Sequence, residues 1–303
     1  MNDREPLKQE RPVIKLPQER TAAVITMDFR GGYGPRRRDN RPLLTIFADG
    51  IVRVIDHSRI KASAEELEAT VQYTKNSGNE FSAEERQSLL ELVDLVRANR
   101  DKQPDVGPEI EAKLSAEELQ DLLRFAIDEQ HFFQFDPHKE LEAEQERTGL
   151  MVDLFDGVTT VIRIQTSERD HEATFYGLYD YAMTYPAVKS LAQLLSVQNR
   201  LMHLVHEIDA GGKEAISAAL KLANEYLRTA YPNIPALVLE DFRYSDHTPD
   251  RRTIHFVPRP AVTRELDDSD RMMKLWAPKP EFAVVVEYRN DRAPKITVSN
   301  PPQ

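Results

Sequence analysis

The chain of 303 residues contains no cysteine. That excludes disulfides, thiolate nucleophiles, cysteine-ligated zinc and cysteine-bound iron–sulfur clusters. Long apolar runs are missing as well. No stretch approaches the roughly 18 consecutive apolar residues of a membrane helix. Met1 to Arg20 is polar and mixed in charge with no apolar h-region, so no signal peptide is expected. The default expectation is therefore a soluble, cytoplasmic chain, or an exported one if a leader precedes it. Several signatures of chemistry are also lacking. There is no Gly-Lys-Ser/Thr phosphate loop and no dinucleotide fingerprint. There is no Gly-x-Ser-x-Gly elbow and no kinase loop. No Ser/His/Asp triad can be assigned, because nothing marks one Ser or His over another.

What is present is an ordinary globular mixture, 40% hydrophobic and 30% charged, long enough for one large or two ordinary domains. Acidic side chains number 51 against 40 basic ones, a net charge of −11. The excess is local. Residues 1–60 carry 12 basic and 8 acidic groups, residues 61–157 carry 10 and 24, and residues 158–303 carry 18 and 19. The middle third makes the protein acidic, and a solvated helical face is the simplest account of it.

The order of local signals is that of an α+β protein. Residues 1–20 are expected to be a flexible leader. Ala22 to Phe29, Leu43 to Phe47 and Ile51 to Ile55 read as an antiparallel meander, with Asp49-Gly50 as the tight turn between the last two. Helices follow. Ser-Ala-Glu-Glu occurs at Ser63, Ser82 and Ser115, each a capping box completed by Glu66, Glu85 or Glu118. Residues 61–67 and 113–119 match at six of seven positions, either a duplication or convergence on a good helix start. The third helix has the clearest stripe: Leu119, Leu122, Leu123, Ala126 and Ile127. His131 to Pro137 is an aromatic cluster that ends it, either plugging the helix against a sheet or lining a pocket.

Val158 to Gln165 and Glu172 to Tyr176 predict a further hairpin, and Pro186 is expected to open a long helix reaching Ile208. Gly211-Gly212 marks the expected boundary between an α+β domain at 21–210 and a smaller one at 211–300. The smaller domain starts with a helix ending near Pro232. Strands are expected at Ala236 to Leu239, Thr253 to Val257, Phe282 to Tyr288 and Lys295 to Val298.

The most unusual local sequence is Arg30-Gly31-Gly32-Tyr33-Gly34-Pro35-Arg36-Arg37-Arg38. Glycines let backbone amides approach an anion, and arginines supply forked donors. Arg30, Gly31, Gly32, Tyr33, Arg36, Arg37 and Arg38 are the candidate anion- or partner-binding residues. The competing readings are a hairpin loop kept soluble by arginine, and a loop docked on the acidic middle third. His203 and His206 share a helix face, as a metal pair would. However, His-x-x-His-Glu is not a zinc-enzyme signature, and no third ligand is evident. Asp153/Asp156 and Asp267/Asp268/Asp270 lack EF-hand spacing and read as solvated turns.

The order of elements resembles a group of uncharacterised bacterial proteins, many of them predicted to be exported. The likeness lies in Arg30-Gly31-Gly32, Asp49-Gly50, Leu119 to Phe133, Thr159 to Ile164, Ala219 to Pro232 and Thr253 to Val257. It implies an α+β fold over residues 21–300 and no catalytic residues. The absence of a visible leader departs from the exported pattern.

The leading expectation is a non-enzymatic binding or protein-interaction module that uses the Arg/Gly-rich hairpin loop, with no cofactor and no catalytic residue assigned. Its partner is expected to be a protein or an anionic ligand. A hydrolase-type enzyme with a fold-dictated carboxylate or histidine site is the first alternative. A weak nucleic-acid binder is the second, and the net charge of −11 argues against it.

Overall fold

The computed structural model describes residues 12–31, 41–55, 109–134, 136–152, 154, 157–248, 251–258, 282–290 and 292–300, with isolated positions between 72 and 94. These residues form an α+β fold of five α-helices and two antiparallel sheets. The chain divides into two compact units, residues 1–199 and 200–303. The capping boxes at Ser63 and Ser82, the first copy of the possible repeat and the acidic Asp267–Asp270 loop lie outside the described residues, as do Asp153 and Asp156.

The first unit is built on a six-stranded sheet in the order β4-β3-β2-β1-β5-β6. The expected meander forms β1 (Ala23–Gly31), β2 (Leu44–Phe47) and β3 (Ile51–Ile55). The turn between β2 and β3 needs its glycine. Gly50 has φ +85°, and a Cβ there would meet the Leu114 carbonyl oxygen at 2.5 Å. Asp49 Oδ1 accepts the Ile51 N–H at 3.1 Å. The hairpin β5 (Val158–Gln165) and β6 (Asp170–Tyr176) joins the same sheet through β1.

Register explains the core. Ile25 lies between Ile46 and Ile164, and Met27 lies between Leu44 and Ile162. Val52 and Val54 extend the two rows. All of these side chains are buried. The alternate positions Thr26, Thr45, Arg53, Glu111, Arg163 and Glu172 form the polar face, the period-two pattern of a sheet with one buried side.

The strand β4 (Glu109–Lys113, EIEAK) is one the sequence does not announce. Its glutamates favour helix, but Glu109 and Glu111 pair with Arg53, and Glu109 also pairs with Arg41. A charged edge of this kind resists pairing with other chains. The opposite edge, β6, is obstructed by His138, whose Nε2 lies 2.9 Å from the Thr174 carbonyl.

The helix α1 (Ala116–Arg124) starts with the expected capping box. Ser115 Oγ accepts the Glu118 N–H, and the Ser115 N–H donates to Glu118 Oε2 at 2.9 Å. Leu119, Leu122, Leu123 and Ala126 are buried. The chain then widens into a π-turn over Phe125–Glu129, and Phe132 plugs its end against His171 of β6, ring to ring at 5.5 Å. The charged stretch that follows is α2 (Pro137–Thr148), capped by Asp136.

Pro186 does not open the long helix. A short helix, α3 (Leu178–Thr184), precedes it, and Pro186 lies in the turn that follows. The long helix α4 begins three residues later (Lys189–Asp209), where Glu140 Oε2 accepts the Ser190 N–H. A carboxylate at that end complements the helix dipole. Buried Thr160 of β5 donates its hydroxyl to Gln198 of α4 at 2.7 Å.

The second unit carries α5 (Lys213–Ala230) and a four-stranded meander in the order β10-β9-β8-β7. The strands are β7 (Phe242–Thr248), β8 (Arg251–Phe256), β9 (Ala283–Arg289) and β10 (Arg292–Ser299). Ile216, Ala219, Ala223 and Leu227 of α5 share a core with Phe242, Ile254, Phe256, Val284 and Val286. The strand expected at Ala236 to Leu239 is not formed. Pro235 removes a ladder donor there, and the Asn224 side chain takes both backbone groups of Leu237, at 2.7 and 2.9 Å. The backbone is thus satisfied by a side chain, and the first strand of this sheet starts later, at Phe242.

Candidate binding surface at one end of the first sheet

The strand β1 lies inside the sheet, so its C-terminal end delivers Arg30 and Gly31 to the middle of one sheet end. Arg30 pairs with Thr159, and Thr159 pairs with Tyr176. The three side chains therefore share a face, and two strand spacings place Arg30 about 10 Å from Tyr176 along the row. Arg30 is 63% exposed, and its Nε lies 3.6 Å from Asp28 Oδ2. An exposed pair of this kind is worth about 0–1 kcal/mol, so the guanidinium can turn to another anion at little cost.

Residues 32–43 join β1 to its antiparallel neighbour β2 in the sequence. Gly32, Tyr33, Arg36, Arg37 and Arg38 belong to that connection and lie outside the described residues. Docking of the loop on the acidic middle third falls outside them too.

The same sheet end gathers exposed apolar side chains. Val158 starts β5, Tyr176 ends β6, and Tyr179 and Met183 are one turn apart on α3; all four are exposed. Four of the ten tyrosines of the chain fall within residues 176–185. Three of them hold the segment that leads from α2 into β5. Tyr185 donates its hydroxyl to the Leu150 carbonyl at 2.8 Å, Tyr181 to Val152 at 3.0 Å and Tyr176 to Leu154 at 3.2 Å. The Tyr176 oxygen also accepts the Gly157 N–H at 2.7 Å. Sequence reasoning passed over these tyrosines. The signal was there in the spacing of four between Tyr181 and Tyr185, the span of one helical turn.

The second candidate, the histidine pair, sits near the end of α4. His203 Nδ1 lies 3.7 Å from Glu207 Oε1, and its ring meets Phe242 edge-on at 5.3 Å. Burial pushes the His203 pKa below the ordinary histidine value. Glu207 opposes that shift, while Arg200 and Arg243 add to it. The His206 ring lies 6.1 Å from Tyr244, and its carbonyl accepts the Ser245 hydroxyl at 2.7 Å. Both rings thus pack against aromatic side chains of β7. Among the described residues, no group of three or more His, Asp or Glu is placed to hold a metal ion. Among the same residues, no helix is long and apolar enough to cross a membrane.

No protein-family model matches this chain, and comparison with curated proteins and with solved structures gave no match.

Proposed function

We propose that the protein is a non-enzymatic interaction module that binds an anionic protein segment through the Arg/Gly-rich connection between β1 and β2. The observation that carries this reading is the position of Arg30: exposed, at the centre of a sheet end, in one cross-strand row with the exposed side chain of Tyr176. A basic group next to apolar surface suits a protein partner, where an anchor residue is buried and a rim charge sets orientation. Bare phosphate would gain nothing from the apolar neighbours.

The test is a titration of the full chain against a fluorescein-labelled decaglutamate peptide, with inorganic phosphate and a single-stranded oligonucleotide as competitors. Saturable peptide binding is expected. Replacing Arg36, Arg37 and Arg38 together with alanine should weaken it about tenfold or more, since each lost charge-assisted contact is worth about 1.5–3 kcal/mol before screening. Unchanged affinity in the triple variant would remove the proposal. An oligonucleotide that displaces the peptide at far lower concentration would favour the nucleic-acid alternative.

A further inference from the structure

The segment entering β5 is bound as a peptide ligand is bound. Three hydroxyls, from Tyr185, Tyr181 and Tyr176, meet the carbonyls of Leu150, Val152 and Leu154. These carbonyls stand two residues apart, the repeat of an extended chain. Tyr181 and Tyr185 present their rings as a stacked pair, 6.0 Å between centroids. The Leu154 side chain sits in a notch above Gly177. A Cβ on that glycine would come within 2.6 Å of Leu154 Cδ1, and φ there is +63°.

Apolar burial does not account for the rest of the segment. Leu150 and Met151 at its start are 46% and 79% exposed. Main-chain hydrogen bonds plus one side-chain pocket is the form in which extended peptides are recognised, the first supplying affinity and the second selectivity.

We infer that Tyr176, Tyr181, Tyr185 and the Gly177 notch form a docking clamp for an extended, acidic and apolar segment of a partner protein, occupied in the free chain by its own Leu150, Val152 and Leu154. The inference rests on the reading of this sheet end as an interaction surface. The chemistry of the partner follows from two observations. The resident sequence, Leu150-Met151-Val152-Asp153-Leu154-Phe155-Asp156, is apolar apart from its two acidic residues. Arg30 stands in the same cross-strand row as Tyr176, where it complements an acidic flank.

The covalent tether gives the resident segment an effective concentration on the order of millimolar. A partner therefore binds with its dissociation constant divided by the fraction of open clamps, which weakens it. Two lesions at one place then act in opposite directions. Removing the resident anchor with Leu154→Ala opens the clamp and strengthens binding in trans. Removing two hydroxyls from that opened clamp with Tyr181→Phe and Tyr185→Phe, rings kept, weakens it. A merely structural strap would give no binding in trans to move.

The experiment is fluorescence anisotropy with a labelled nonapeptide of residues 149–157, Gly-Leu-Met-Val-Asp-Leu-Phe-Asp-Gly, titrated with the full chain. Binding is expected to tighten about tenfold in Leu154→Ala and, from that level, to weaken about tenfold when Tyr181→Phe and Tyr185→Phe are added to Leu154→Ala, the effect of two neutral hydrogen bonds. Failure of both the wild type and Leu154→Ala to bind overturns the clamp, and so does equal affinity in all three proteins. The Arg36/Arg37/Arg38 triple alanine variant separates the two proposals. Affinity that falls only in that variant keeps the basic loop and overturns the clamp. Affinity that falls only in the tyrosine variant keeps the clamp without the loop. Gain of affinity in Leu154→Ala cannot come from a failure to fold.

Discussion

Gly177 shows how much one residue decides here. It enters α3 with φ +63°, and Leu154 leaves no room for a Cβ. Gly177→Ala is expected to cost about 2 kcal/mol, the left-handed penalty plus overpacking. Urea unfolding checks this, and a loss below about 0.5 kcal/mol, the scale of an ordinary surface change, would contradict it. His203 gives a prediction of a different kind. Its folded pKa is lowered, chiefly by burial, with Arg200 and Arg243 acting in the same sense and Glu207 against it. Between that lowered value and about 6.5, the unfolded chain binds the extra proton. Stability contributed by the neutral ring is therefore full above about pH 6.5 and declines as pH falls through that window. His203→Gln should flatten this acid-side decline relative to the wild type, read from unfolding free energies at several pH values from 7 down to 5. Parallel curves for the two proteins would contradict the assignment.

Individual elements differ in how far they could be read from sequence, and the reason is where their backbone bonds go. The helix α1 was legible because its cap, stripe and aromatic end are all local: Ser115 and Glu118 close the box, and Leu119, Leu122 and Leu123 supply the face. Strands β1, β2, β3 and β5 were legible from alternation alone. The edge strand β4 was not, because EIEAK becomes a strand only when Glu109 and Glu111 meet Arg53 across the ladder. Ala236 to Leu239 misled in the opposite sense. Its apolar β-like residues are held outside the sheet by Asn224, a partner thirteen positions away. Asn224→Ala leaves the N–H and C=O of Leu237 without that partner and is expected to destabilise the protein by about 1–3 kcal/mol. Thermal unfolding followed by circular dichroism reads this directly, and an unchanged midpoint would show that the bonds carry no stability. At the candidate surface, Arg30 and Gly31 were legible as a charge-and-glycine motif. The tyrosine clamp was not, because its partners are the carbonyls of Leu150, Val152 and Leu154, which no side-chain pattern reveals.

Across the whole chain, charge is the organising feature. Residues 61–157 hold most of the acidic excess, while the basic groups of residues 1–60 include the run Arg36-Arg37-Arg38 between β1 and β2. Association through that run should weaken with salt, because exposed charges are screened beyond about 8 Å at physiological ionic strength. A decaglutamate affinity that holds steady from low to high salt would contradict an arginine-led interface. The most direct test of the central claim is where a bound partner lies. Hydrogen–deuterium exchange of the full chain, with and without the decaglutamate peptide, answers it. Added protection is expected in residues 30–41 and at the adjoining sheet end, around 157–159 and 176–179. Protection confined to the second unit, around His203 and His206, would contradict it.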